Sequence, residues 1–392
     1  MSKIAFFCIP AYGHTNPTLE VVKELISKGN EVWYYSYEML REKIEETGAK
    51  YISCEDYETE MIFKPEDADR AGKDIAFFTK TLVNATLAMN DAIIEEMKAW
   101  NPDCIVSDAM AFWGKLIALK LGIPFVSSTT TFAINKYSVK TMKQSFFGLI
   151  KAFYSIRKAN KHVKKLKDKG YLVKNVLSLI QNNNDTDTIV YTSPEFQPFS
   201  ETFSKKYSFV GPIIRKLDYE VKKPVKKTIY ISLGTVNNQV LSFFQNCIAA
   251  FKDEGFDVIM SVGNMIDLDL LGEIPANITV KKSVNQIEVL QQADAFLTHC
   301  GMNSVSEGLY YHVPLILFPQ SSEQGGVAYR VNELKAGIYL KENSVEAIRQ
   351  AVNEVLSNNS YRENAKKIAE SFYRCGGAKE AADKILNVAR GK

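Results

Sequence analysis

The first part of the chain alternates short apolar runs with stretches in which apolar residues recur at helical spacing. Ile4–Ile9 is apolar throughout, as expected for a parallel strand that is buried on both faces. Asn16 and Pro17 are typical of an N-cap and a first helical residue, and they predict a helix that continues to Gly29. Glu31–Ser36 predicts the next strand. Together these elements form a βαβ unit, which predicts a parallel sheet with helices on its faces.

The same alternation of predicted strands and helices occurs in two blocks of the chain. In the first block, apolar segments predict further strands at residues 103–108, 123–128, 188–191 and 207–212. The charged segment 213–227, which Pro224 interrupts, has the composition of a linker. After it, strands and their turns are predicted at residues 228–236, 257–262, 278–280 and 295–298. We therefore expect two doubly wound α/β domains, at residues 1–212 and 228–375.

The composition is that of an ordinary globular protein. The 392 residues exceed a typical domain of about 100–200 residues, and 46% of them are apolar. A net charge of +3 gives no reason to expect a nucleic-acid partner. The six cysteines form no C-x-x-C pair, and no apolar stretch reaches the ~18 residues of a membrane span. We expect reduced thiols, no secretory signal, no stable membrane insertion and a cytoplasmic location.

The segment 298–324 contains the highest concentration of candidate ligand-binding residues. A strand ends at Thr298, His299 follows, and a helix is predicted to start at Asn303 or Ser304, so that N–H groups and the positive end of the helix dipole meet at one spot. Phosphate oxygens bind such spots. Glu307 can accept hydrogen bonds from a ribose diol, although Ser304 and Glu307 also have the spacing of a capping box. Polar side chains that suit sugar hydroxyls follow the next strand: Gln320, Glu323 and Gln324.

This segment resembles the donor-binding signature of the UDP-dependent glycosyltransferase superfamily, in particular its bacterial branch that glycosylates macrolides, flavonoids and other small lipophilic acceptors. The resemblance implies that one set of residues holds the diphosphate: His299, Gly301, Met302, Asn303 and Ser304. It implies that Glu307 holds the ribose and that Glu323 and Gln324 hold the sugar. It adds a first donor loop, formed by Ser232, Gly234 and Thr235, and a uracil-binding segment with Val284 and Gln286. Many relatives have Trp at 283 and Pro at 285, where this chain has Ser283 and Asn285. The sequence therefore does not decide whether the donor nucleotide is UDP or dTDP.

Two candidate catalytic residues follow strands of the first domain. His14 comes after the first strand, and the segment 13–19 resembles the part of the family that contains its general base. The resemblance implies that Asp108, at the end of another strand, orients this histidine. Alternatives are that His14 only bonds its own loop and that Asp108 only caps a helix. Thr130 and Thr131 are placed where they can reach the phosphate or sugar of the donor.

The sequence is less informative about the residues that bind the acceptor. The resemblance places the acceptor pocket in the segments 57–80 and 132–171, and we expect aromatic rings to line it, at Phe63, Phe112, Phe132 and Phe146. Residues 139–169 contain ten Lys or Arg and one acid. Such a basic amphipathic helix can lie on an anionic membrane, whereas a solvated basic face is the simpler interpretation.

The resemblance implies an α/β protein with the GT-B fold, in which two Rossmann-like domains face each other across a cleft. The last residues, 376–392, would form a helix that returns to the first domain. The expected reaction is inverting transfer of a hexose, glucose from UDP-glucose, to a nucleophile of a small lipophilic acceptor, without a metal or other cofactor. The Asp-x-Asp sequences at 185–187 and 267–269 are interpreted as incidental. A non-catalytic sugar-nucleotide-binding protein and a nicotinamide-dependent oxidoreductase are the alternatives, and the latter lacks its G-x-G-x-x-G turn here.

Overall fold

A computed structural model describes residues 1–57, 70, 74–135, 137, 146–180, 182, 184–234, 240–252 and 254–391. The chain forms two compact α/β units. Unit 1 comprises Met1–Ile213 together with Arg374–Lys392, and unit 2 comprises Ile214–Tyr373.

The described part of unit 1 contains a seven-stranded parallel sheet. Its strands are β1 (Lys3–Phe7), β2 (Glu31–Ser36), β3 (Lys50–Ser53), β4 (Cys104–Asp108), β5 (Phe125–Thr129), β6 (Asp187–Val190) and β7 (Tyr207–Phe209). The helices of unit 1 are α1 (Tyr12–Ser27), α2 (Arg41–Glu45), α3 (Ile75–Trp100), α4 (Phe112–Leu121), α5 (Phe146–Asp168), α6 (Val176–Ile180) and, at the end of the chain, α13 (Gly377–Ala389).

The described part of unit 2 contains a six-stranded parallel sheet. Its strands are β8 (Thr228–Ser232), β9 (Asp257–Ser261), β10 (Ile278–Lys281), β11 (Ala295–Thr298), β12 (Leu315–Leu317) and β13 (Gly337–Tyr339). Its helices are α7 (Leu241–Phe251), α8 (Gln286–Gln292), α9 (Met302–Tyr310), α10 (Ser322–Glu333), α11 (Val345–Ser357) and α12 (Ser360–Tyr373).

In each sheet the strand order reverses once, and this reversal positions the candidate sites. The strand order is β3-β2-β1-β4-β5-β6-β7 in unit 1 and β10-β9-β8-β11-β12-β13 in unit 2. In unit 1, strands β2 and β3 are added on one side of β1, and β4 and the later strands are added on its other side. In unit 2, β9 and β10 lie on one side of β8, and β11 and the later strands lie on the other side. Ligands of open α/β sheets bind at such switch points, beyond the carboxyl ends of the strands.

The continuous apolar run of the first strand is explained by burial on both faces of the sheet. Ala5 and Phe7 belong to the core on one face, and Ile4 and Phe6 belong to the core on the other. The predicted parallel sheets are thus confirmed. Two edge strands, β3 and β13, were not predicted, because most of their residues are partly or fully exposed and they form no continuous apolar run.

Helix α1 starts earlier than the sequence predicts, so the assignment of Asn16 as its N-cap is wrong. The helix begins at Tyr12, after Ala11, and Pro17 lies inside it. Thr15 is fully buried, and Thr18 Oγ1 lies 2.7 Å from the hydroxyl of Tyr34, so packing stabilises the additional turn. As a result, His14 belongs to the first turn of α1 rather than to a preceding loop.

The end of the chain forms two helices, α12 and α13. The chain is interrupted between α12 and α13, where Gly377 adopts a positive φ of 58° that favours glycine. Helix α13 belongs to unit 1, where Ala381 and Ile385 join the core that also contains α1 residues. The backbone N–H of Gly377 donates to the carbonyl oxygen of Val210 at 2.8 Å.

All six cysteines are free thiols. Within the described ranges, no helix combines the length and the apolar character that a membrane span requires.

Candidate active site

The first polar cluster lies at the carboxyl ends of β1 and β4 in unit 1. Asp108 is the last residue of β4, and His14 lies in the first turn of the helix that follows β1. Because β1 and β4 are parallel neighbours, both side chains are at the same edge of the sheet. His14 Nδ1 lies 2.7 Å from Asp108 Oδ2. Two residues that are 94 positions apart in the sequence therefore form a hydrogen-bonded pair.

The carboxylate of Asp108 is held from two sides. Its Oδ2 contacts His14, and its Oδ1 accepts a hydrogen bond from the backbone N–H of Met110 at 2.8 Å. The residue is only 4% exposed. Helix α4 has Ala111 as its N-cap and no side-chain cap, so the interpretation of Asp108 as a helix cap does not hold.

The pairing determines where His14 carries its proton. A carboxylate accepts hydrogen bonds, so Nδ1 of His14 carries the hydrogen and the lone pair of the neutral ring is on Nε2. Thr130 Oγ1 lies 3.1 Å from the same Nδ1, so Thr130 also contacts this ring. The His14 side chain is 27% exposed, so the ring is accessible from outside the unit. This arrangement can remove a proton from a bound hydroxyl group.

The second polar cluster lies at the carboxyl ends of β8 and β11 in unit 2. Ser232 and Thr298 are paired in register at the ends of these neighbouring strands. Helix α9 then begins at Met302, one residue before the earlier of its two predicted starts, and its N-cap is Gly301. Since glycine has no side chain, the cap residue does not occupy the first N–H groups of the helix. Such a helix start favours an anionic ligand.

His299 is part of this second cluster and stays neutral near pH 7. Burial lowers the pKa of its imidazole to about 4, while a hydrogen bond with the backbone of Ser232 acts in the opposite direction. Its Nδ1 is buried and has no hydrogen-bond partner among the residues that the structure describes. A buried polar nitrogen without a partner costs about 1–3 kcal/mol, so a ligand that supplies the missing partner would gain from this arrangement.

Two glycines enclose the ring of His299. A Cβ atom added at Gly234 would lie 2.6 Å from Cε1 and Nε2 of the ring, and one added at Gly301 would lie 2.6 Å from Nε2. Gly234 also has a positive φ of 77°, which other residues rarely adopt. The next residue after His299, Cys300, has a φ of 69° although it is not glycine, so this turn carries backbone strain.

Glu307 forms a side-chain network with the helix that follows β10. Gln286 Nε2 donates to Glu307 Oε2 and lies 3.3 Å from Ser304 Oγ, while the Tyr230 hydroxyl donates to Gln286 Oε1 at 3.1 Å. Both Ser304 and Glu307 lie inside α9, so they do not form a capping box at its start. Burial raises the pKa of Glu307 to about 7, against a smaller opposite effect of the Gln286 hydrogen bond. Gln286 thus connects α8 to α9 and does not act as a helix cap.

The predicted sugar-binding residues surround the start of α10. Ser321 is the N-cap of this helix, and its hydroxyl accepts from the backbone N–H of Gln324 at 3.4 Å. Gln324 Oε1 accepts from the backbone N–H of Gln320 at 2.7 Å, so part of this buried amide has a structural role. The neighbouring Glu323 is exposed.

The other predicted site residues differ in position. Ser283 is exposed and Val284 is half-buried beside α8. Phe112 is buried in the core of unit 1 with 1% exposure, so it is a core residue, and Phe132 contacts Phe196 with ring centroids 5.4 Å apart. Outside the described residues or side chains lie Thr235, Phe63 and the ring of Phe146.

Sequence reasoning missed Tyr230 and Met110, which hold Gln286 and Asp108 in place. Neither residue carries a signal in the sequence, since one is an ordinary strand residue and the other acts through its backbone. The Asp-x-Asp segments have structural partners: Asp187 pairs with Lys206 at 2.8 Å, and Asp267 accepts from the backbone N–H of Asp269 at 3.2 Å.

Comparisons with known proteins agree with this architecture. Residues 248–387 match the family model of the erythromycin biosynthesis protein CIII-like, C-terminal domain. The chain is 33% identical to the uncharacterized UDP-glucosyltransferase YojK of Bacillus subtilis, over 100% of this chain and 98% of that protein. It is 34% identical to the NDP-glycosyltransferase YjiC of Bacillus subtilis, over 97% and 96% of the two chains.

A solved structure extends the similarity to the whole fold. The crystal structure of CalG4, the calicheamicin glycosyltransferase, superposes with a TM-score of 0.81 at 26% identity, covering 100% of this chain and 99% of that one. The fold is therefore the GT-B fold, with two parallel-sheet α/β domains. The chain therefore belongs to the UDP-dependent glycosyltransferases of glycosyltransferase family 1, in the bacterial branch that includes macrolide and flavonoid glycosyltransferases.

Proposed function

We propose that this enzyme transfers glucose from UDP-glucose to a hydroxyl group, or another nucleophile, of a small lipophilic acceptor, with inversion at the anomeric carbon. The observation that carries the proposal is the 2.7 Å contact between His14 Nδ1 and Asp108 Oδ2. A protein that only binds a sugar nucleotide has no need for an oriented base, and this pair therefore favours catalysis.

In the proposed reaction, Nε2 of His14 takes the proton of the acceptor hydroxyl as its oxygen attacks the anomeric carbon. The bond between that carbon and the oxygen of UDP breaks, and UDP leaves with the electron pair. Attack from the face opposite UDP converts an α-linked donor into a β-glycoside. Asp108 stabilises the imidazolium that forms on His14. A positioned base of this kind contributes about 10²–10⁴ in rate.

The donor would be held by unit 2. The diphosphate would lie at the start of α9, at Gly301, Met302, Asn303 and Ser304, and His299 would donate a hydrogen bond to it. Neutral donors and a helix N-terminus stabilise the departing phosphate charge in this proposal, which needs no metal ion or other cofactor. Glu307 would bind the ribose diol, and Glu323 and Gln324 would contact the hexose.

The choice of UDP-glucose is supported by two relatives, which are named as a UDP-glucosyltransferase and an NDP-glycosyltransferase. Ser283 gives the base no aromatic ring on which to stack, and stacking of this kind is worth roughly 1–3 kcal/mol per base in nucleic-acid complexes. We therefore expect the enzyme to discriminate only weakly between UDP and dTDP. Val284 and Gln286 would lie beside the nucleobase of the donor.

The test is release of UDP from UDP-glucose in the presence of a phenolic acceptor. We expect saturable release by the wild-type protein and a loss of about 10²–10⁴ in kcat for His14→Ala, with the Kd for UDP unchanged. His312→Asn is a matched control that should retain full activity, because His312 contacts Tyr373 outside both polar clusters and asparagine tolerates its positive φ of 60°. Unchanged turnover in His14→Ala would overturn the assignment of the base, and tight UDP binding without turnover by the wild type would favour the non-catalytic binding protein.

A further inference from the structure

Helix α5 presents a strongly basic face on the outside of unit 1. At 100° per residue, Arg157, Lys158, Lys161, Lys164 and Lys165 lie within about 120° of one another around the helix. We call these five residues the basic face. All five are exposed, whereas Ala159, Val163 and Leu166, on the opposite side of the helix, are buried in the core.

The charge of the basic face is not neutralised within the part of the chain that the structure describes. None of its five residues forms an ion pair there, and Lys165 only approaches the amide oxygen of Asn84 at 3.5 Å. Three more exposed lysines continue the charge toward and beyond the end of the helix, at Lys167, Lys169 and Lys174. From residue 157 to residue 174 the sequence contains eight cations and one acid, Asp168.

Exposed apolar side chains flank these cations. Tyr154 falls on the same side of α5 as the basic face and is 60% exposed. Leu172, just after the helix, is 95% exposed, and Leu177 is 38% exposed. The local charge is exceptional for this chain, since its overall net charge is only +3. Cations beside exposed aromatic and leucine side chains are typical of a surface that contacts anionic lipid.

We propose that the basic face is a docking surface for a membrane that contains anionic phospholipids. The lysine and arginine side chains bind lipid phosphates, and Tyr154, Leu172 and Leu177 contact the region between headgroups and acyl chains. A row from residue 154 to residue 168 spans about 20 Å, so several headgroups are contacted at once. The inference is independent of the transfer reaction, because none of these residues belongs to the two clusters at the strand ends.

The experiment is sedimentation of the full-length protein with vesicles. Binding is expected with mixed phosphatidylcholine and phosphatidylglycerol vesicles, with little binding to pure phosphatidylcholine, and it should weaken as salt is added. Each basic residue near an anionic surface contributes about five-fold in affinity. The quintuple variant with Arg157→Gln, Lys158→Gln, Lys161→Gln, Lys164→Gln and Lys165→Gln should therefore lose binding by at least about a hundredfold.

A matched quintuple variant removes the same charge elsewhere, with glutamine at five exposed lysines of unit 2: Lys222, Lys227, Lys252, Lys335 and Lys341. It should retain most of the vesicle binding, and both variants should bind UDP with the wild-type Kd. Equal binding by the two variants, or no binding of the wild type to the mixed vesicles, refutes the proposal. Tighter binding to a single-stranded RNA than to the mixed vesicles at the same salt concentration would also refute it, because the partner would then be a nucleic acid.

Discussion

Gly301→Ala is expected to displace the ring of His299 and weaken UDP binding without damaging the fold. Gly301 has φ −61° and ψ 139°, a conformation that alanine adopts readily. The new methyl group would, however, lie 2.6 Å from Nε2 of His299. Non-bonded atoms of this kind are in optimal contact at about 3.5–4.0 Å, so the ring must move by on the order of 1 Å.

The size of the effect follows from the hydrogen bond that the movement removes. If His299 donates to the diphosphate, as proposed, the bond has a charged acceptor and contributes about 1.5–3 kcal/mol. Since about 1.4 kcal/mol corresponds to a tenfold change in Kd, UDP should bind roughly ten- to a hundredfold more weakly. Stability should change by less than about 1 kcal/mol, because the substitution also restricts the unfolded chain.

Isothermal titration with UDP measures the first quantity, and thermal unfolding measures the second. Gly255→Ala is the control, since no described atom lies within 4 Å of an added Cβ at that position and its φ is not positive. It should bind UDP like the wild type. A folded Gly301→Ala protein with unchanged UDP affinity, together with an equally unaffected His299→Ala protein, would refute the role of His299 at the diphosphate.

Two further predictions concern the carboxylates. Asp108→Asn keeps the shape of the side chain but removes the charge that stabilises a protonated His14, so kcat should fall by about 10²–10⁴ with an unchanged Kd for UDP; normal turnover would exclude the pair mechanism. Glu307 has its pKa raised from 4.5 to about 7 by burial in the folded protein, so its contribution to stability is fully present below pH 4.5 and is lost as the pH rises through 7. The melting temperature of unliganded Glu307→Gln should therefore rise relative to that of the wild type between pH 5 and pH 8. A difference in melting temperature that is the same at all pH values would contradict the assigned pKa.

The sequence by itself was sufficient for the two parallel sheets. Segments such as Ile4–Ile9 and Ala295–Thr298 are apolar at consecutive positions, and only a strand that is covered on both faces requires this. The sequence also selected His14, Asp108 and Glu307 as polar residues beside such strands. Local pattern was less reliable at boundaries: Asn16 and Pro17 have the best local signal for a helix start, but burial of Thr15 and Thr18 moved the start of α1 to Tyr12.

Only the tertiary structure decided which of these residues meet. Hydrophobic pattern reports how deeply each segment is buried, but it carries no information about which strand lies next to which. The order of the sheets places β1 beside β4 and β8 beside β11, and this brings His14 to Asp108 and His299 to Gly234. The raised pKa of Glu307 and the lowered pKa of His299 likewise depend on desolvation by residues distant in sequence. Their protonation states are therefore properties of the packed fold, because the same side chains in an unfolded chain are surrounded by water.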